Sequence, residues 1–147
     1  MATIIPNLST AIIAGLSTTT IAGLTTEDWA AFSSAQIAAL TTIQVSVIGT
    51  AAVPALSSAH MQAFETADLR ALNTATLRAL SSDQLEALTS NQIGALTTGQ
   101  VAALTTTQIS QLNSDDLNAL GTQQFAALTS AQAVALTTDQ IPTLESS

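Results

Sequence analysis

The sequence predicts an all-α solenoid, built from about eighteen very short helices with one in each eight-residue repeat. Three observations carry this expectation. From Ser81 to Leu136 the chain reads SSDQLEAL, TSNQIGAL, TTGQVAAL, TTTQISQL, NSDDLNAL, GTQQFAAL, TSAQAVAL, which is seven copies of one unit. The same phase runs through all 147 residues without insertion or deletion. Finally, a period of eight suits neither a long helix nor a strand. Along one continuous helix eight residues advance about 800°, so an apolar stripe would drift by about 80° per repeat and never form one buried face. In a strand the two recurrent apolar slots would point to opposite faces. A short helix inside each octad places them on one face.

The slots of an octad are numbered here so that every multiple of eight is slot 8. Slot 1 is Ser, Thr, Asn or Gly in sixteen of eighteen octads, with Glu65 and Glu145 the exceptions; these are the preferred N-cap residues. Slot 2 is Ser or Thr from Thr10 to Ser146 and is the alternative cap, one residue along. Slot 4 is Gln or Asp in twelve octads, which completes a capping box with slot 1. On this reading Gln100 serves only its own cap, and its loss should cost far less than that of a core leucine such as Leu104. Slot 5 is apolar from Ile5 to Ile141, with only Ala133 small, and slot 8 is Leu, Ile or Phe throughout. The slot-8 residue before each cap and the slot-5 residue after it stand where a hydrophobic staple needs them. Slot 7 is most often Ala, as at Ala31, Ala39 and Ala55, which allows close approach of neighbouring helices. So short a helix is unstable alone and must stack on others. Pro6, Pro54 and Pro142 all fall in slot 6, inside the expected helix, and their shared slot suggests a bend or a 3₁₀-like turn.

Taken in chain order, residues 1–147 form a single domain, since the unbroken phase leaves no room for a linker. Met1 to Leu24 is the most apolar part, with Ile4 and Ile12 in slot 4 and Gly15 and Gly23 in slot 7. Trp29 and Phe32 occupy core slots. Ile48 to Ser58 is the least regular stretch, with Gly49 at the cap and Pro54 within. Between His60 and Glu86 the outward slots turn polar, and Gln62, Arg70, Arg78 and Glu86 share slot 6. If successive repeats stacked directly, these four would form a ladder, more simply read as a solvated edge than as a binding strip.

Composition narrows the function. Ten acidic residues face two arginines and no lysine, for a formal charge of −8, the opposite of a nucleic-acid footprint. There is no cysteine and one histidine, His60, so no zinc site of the usual ligand types is expected. The Ser and Thr hydroxyls lack an activating base. Seven acids (Glu27, Asp28, Asp68, Asp83, Asp115, Asp116, Asp139) lie in slots 3 or 4, where negative charge complements a helix dipole. Asp115 and Asp116 have no EF-hand loop around them, and calcium is not expected there. No catalytic residue, cofactor, metal or small-molecule substrate is therefore assigned. No positively charged region precedes the apolar start, so a standard signal peptide is not expected. Ser, Thr, Gly and Pro break the apolar runs too often for a membrane span.

The unit Ala-Leu-Thr-Thr-x-Gln-Ile/Val-x-Ala-Leu recurs with variations at Ala95–Leu104, Ala103–Leu112 and Ala135–Leu144. It resembles the octad repeat arrays of very large bacterial surface or secreted proteins of adhesion or haem-utilisation type. The resemblance implies an extracellular or cell-surface structural role and carries over no functional residue. The expectation is thus a non-enzymatic structural element, either a spacer of a surface adhesin or a subunit that joins copies of itself head to tail into a fibre. Ile4, Ile5, Ile12 and Ile13 at one end, with Ile141 and Leu144 at the other, are the expected self-association surface. The alternative is a peptide- or protein-binding solenoid.

Overall fold

The computed structural model of the chain describes residues 3–144, with the backbone alone at 143 and 144. Every octad forms its own element. Among the described residues there are sixteen α-helices of four to six residues and two 3₁₀ segments, Ile5–Asn7 and Thr50–Ala55. The octad 97–104 shows how one unit closes. Thr97 is the N-cap, extended at φ −72° and ψ 157°, and its Oγ1 accepts the Gln100 N–H at 3.2 Å. The helix Thr98–Ala103 follows and stops at Leu104, whose ψ of 144° is extended again. Slot 1 rather than slot 2 is the cap. The two extended residues, slots 8 and 1, make the whole turn, and no described residue has a positive φ. The chain therefore turns without glycine, using the Leu-Ser/Thr pair that also supplies core and cap.

The prolines now have an account. Pro54 lies within the 3₁₀ segment Thr50–Ala55 and Pro6 within Ile5–Asn7. Proline lacks the N–H that would close an α-helical bond at slot 6, so these octads tighten to i→i+3 bonds such as Leu56 N–H to the Val53 carbonyl at 3.1 Å. Pro142 is the second residue of the helix Ile141–Leu144, where a missing N–H is harmless.

Stacking is not between consecutive octads. Each helix packs on the one three places along: Thr42–Ser46 on Thr66–Ala71, Ser90–Gly94 on Ser114–Ala119, Thr106–Gln111 on Ser130–Ala135. Consecutive octads instead run round the coil. Gln62, Arg70 and Arg78 therefore stand on different sides of the molecule rather than in a ladder, and only Gln62 and Glu86, three octads apart, share a column. Slots 5 and 8 fill one continuous core from Ile5 to Leu120, with Trp29 and Phe32 stacked in it at 5.1 Å. Slot 5 leans toward the following coil. Ile5, Ile13 and Ile21 of the first coil are fully covered, whereas Phe125 in the last coil is half-buried and Ala133 and Ile141 are exposed. The stack thus has two unlike ends, a foot at the N-terminal coil and a top at the C-terminal one.

Candidate functional site

Slot 4 is where the fold commits its polar chemistry. Nine glutamines hold it (Gln36, Gln44, Gln84, Gln92, Gln100, Gln108, Gln124, Gln132, Gln140), and all are buried. Each uses its whole amide. In Gln100 the Oε1 accepts the Thr97 backbone N–H at 2.9 Å, completing the capping box. Its Nε2 donates to the carbonyls of Leu69 at 2.7 Å and Leu72 at 2.8 Å. Those carbonyls belong to slots 5 and 8 of the octad four places earlier. Gln132 does the same to Val101 and Leu104, and Gln36 to Ile5 and Leu8. One turn of the superhelix therefore takes between three and four octads. The result is a seam in which each coil is hydrogen-bonded to the coil beneath it through side-chain amides.

The chemistry explains the residue. A glutamate could cap its helix but has no hydrogen to give a carbonyl, whereas an amide accepts and donates at once. The capping expectation accounts for half of this side chain. The other half had a signal in the sequence: slot 4 is Ile4, Ile12, Thr20 and Asp28 in the first four octads, and glutamine begins at Gln36, the first octad with a coil beneath it. Capping alone predicts no such onset.

Where glutamine is absent within the stack, other groups take its place in part. His60 accepts the Ser57 N–H at Nδ1, at 3.3 Å, which leaves the hydrogen on Nε2 to be donated to the Phe32 carbonyl at 2.9 Å. This lone histidine is a seam residue. Thr76 and Asn73 both donate to the Ile48 carbonyl, each at 2.7 Å. Asp68 and Asp116 are buried acceptors, met from the coil beneath by Thr42 Oγ1 at 2.8 Å and Ser90 Oγ at 3.0 Å. Burial pushes the Asp116 carboxyl pKa up, against the hydrogen bonds from Ser90 and Asn113. Asp115, its neighbour, is exposed, so the pair does not converge on one point. Asp28, in the first coil, is half-buried and held below the ordinary carboxylate range by hydrogen bonds from Thr3 and Thr25.

The expected self-association residues divide. Ile4 and Ile12 are exposed on the foot, at 67% and 51%, while Ile5 and Ile13 lie in the core at 2% and 0%. Ile141 is exposed on the top at 47%, and the Leu144 side chain lies outside the described residues. An open cleft of about 580 Å³ lies on the flank, lined by Arg70, Gly94, Thr98, Gly121 and Gln123 among others. At Gly94, on its wall, two coils approach closely: a Cβ there would stand 2.6 Å from the Ala119 carbonyl oxygen.

The sequence profile of the ALTTAQ repeat matches residues 21–58, 61–98 and 109–146. All three matches begin at slot 5, so they are in phase with the octads, with starts separated by 61 − 21 = 40 and 109 − 61 = 48 residues. No curated protein and no solved structure matches the chain.

Proposed function

The chain belongs to the ALTTAQ repeat family, and from that premise we propose that it is a non-enzymatic structural element, a stiff spacer whose length is set by its octad count. The observation that carries the reading is the seam. Buried polar side chains at slot 4 are committed to joining coil to coil or to their own caps, and the apolar slots are spent on one continuous core. The resemblance to bacterial surface arrays supports a place in a surface adhesin.

Of the two structural forms, the spacer is favoured over the head-to-tail fibre. A foot placed on the top of another copy would bring Ile4, Ile12 and Thr20 over carbonyls that elsewhere receive glutamine amides. Burying acceptors without donors costs roughly 1–3 kcal/mol each. A protein-binding solenoid is the second reading, and the flank cleft beside Arg70 is the observation in its favour.

The test is an insertion in phase. Repeating residues 81–112 once, directly after Leu112, adds four octads. The spacer reading expects a longer particle in small-angle scattering and a higher melting temperature, as nearest-neighbour stacking adds up along a solenoid. An unchanged maximum dimension would refute it.

A further inference from the structure

We propose that the top of the stack is a docking surface for an octad-repeat coil that carries glutamine in slot 4, and that the foot of this chain is not such a coil. The proposal rests on the structural reading above and adds the partner. On the top the carbonyls of Leu120, Leu128 and Leu136 receive no side-chain donor among the described residues. The equivalent carbonyls of Leu72, Leu80, Leu96 and Leu104 each accept a glutamine Nε2 at 2.6–3.1 Å. Beside them Phe125, Leu128 and Leu136 are half-buried and Ala133 and Ile141 exposed, although both slots are buried without a break from Trp29 to Leu120. The top therefore repeats the upper surface of the internal coils in its slot-8 leucines and open carbonyls, with Ala133 the one small residue in slot 5. That internal interface is the one seen throughout the stack, and its partner most often presents the same two features: slot-8 leucines and downward glutamine amides.

The occupant follows from donor counting. A second copy of this chain offers its foot, whose slot 4 holds Ile4, Ile12 and Thr20. Its own glutamines are already bonded within the stack. A foot with Ile4 and Ile12 in slot 4, and only the Thr20 hydroxyl to donate, would cover the top but leave most of its carbonyls dry and unpaired, which is unfavourable in a buried setting. A coil with glutamine at those three positions satisfies both the apolar surface and the acceptors. Joining such a coil to the top is a heterologous contact that continues the superhelix.

The foot residues are exposed, so the missing donors can be supplied by substitution without touching the core. The triple variant Ile4→Gln, Ile12→Gln, Thr20→Gln should keep its helical circular dichroism and assemble end to end in analytical ultracentrifugation and electron microscopy. Adding Ala133→Glu and Ile141→Asp on its exposed top should return it to the monomer. Wild-type chain at the same concentration should show at least tenfold less assembly. A folded triple variant that stays monomeric overturns the proposal. So does assembly that survives the top substitutions, or wild type that assembles as readily, which would make an apolar second copy the occupant. If the triple variant fails to fold, residues 81–112 appended after Leu144 place four glutamine octads in phase over the top. Amide hydrogen exchange in Phe125–Leu136 should then slow at least tenfold, and unchanged exchange counts against the proposal. Failure here with success of the internal insertion leaves the spacer standing and removes only the docking surface.

Discussion

A single amide decides how this chain holds together. Removing Gln100 leaves the Thr97 N–H and the Leu69 and Leu72 carbonyls without their partner, so Gln100→Ala should cost about 2–5 kcal/mol in chemical denaturation. That matches the roughly 2–5 kcal/mol expected of Leu104→Ala, contrary to the smaller cost that capping alone would assign. Gln100→Glu should be worse than Ala near neutral pH, because a carboxylate then faces two carbonyls, and should recover partly on acidification as the protonated acid regains one donor. Equal stability of the Glu and Ala variants across pH would argue against the seam. Asp116 gives a second residue-level test. Its carboxyl pKa is raised above the ordinary 3.8 by burial, so between the ordinary and the raised value the folded state binds more protons than the unfolded one. Its contribution to stability therefore falls as pH rises through that window. Asp116→Asn should flatten this part of the pH–stability curve. Gln111, in a slot where alanine is usual, buries its Oε1 without a partner, so Gln111→Ala should leave stability unchanged or raise it by about 1 kcal/mol.

At the scale of the element, two glycines make opposite predictions. Both lie inside helices, where glycine costs about 0.8–1 kcal/mol relative to alanine. Gly99, in Thr98–Ala103, has open space where a Cβ would stand, the nearest neighbour being 4.0 Å away. Gly99→Ala should therefore stabilise by roughly 0.5–1 kcal/mol. At Gly94 the same methyl meets backbone at 2.6 Å, so Gly94→Ala should destabilise by about 1–3 kcal/mol; thermal melts of both variants decide it. The elements themselves are legible in sequence, since Ser or Thr at slot 1, Gln at slot 4 and apolar slots 5 and 8 are local signals, and each octad becomes one helix or 3₁₀ turn. What is not legible from the octad is the pairing three places along. Eight residues specify a helix and a turn, and the rotation per turn depends on how side chains from separate coils fit. Likewise the seam joins groups 28 and 31 residues apart, beyond the reach of a capping rule. Ile5 and Ile13 are not an outward surface, because slot 5 faces the following coil and the first coil already buries it.

For the molecule as a whole, cohesion is a sum over neighbouring coils. The foot lacks glutamine donors, and among the described residues each end coil shares one interface. Native-state hydrogen exchange should show its highest protection in the middle of the stack, around Leu77 to Val101, falling toward both ends. Uniform protection from end to end would indicate a single all-or-none unit instead.

The seam also has a direction in time. Every slot-4 glutamine amide addresses carbonyls laid down earlier in the chain. During synthesis from the N-terminus, the acceptors for each new octad are thus already in place when its donor emerges. Assembly can advance one octad at a time against a finished template, with a sequence separation that stays near four octads however long the array grows. Loop-closure cost is then constant per step, and the folding rate of longer in-phase arrays should be nearly independent of their length.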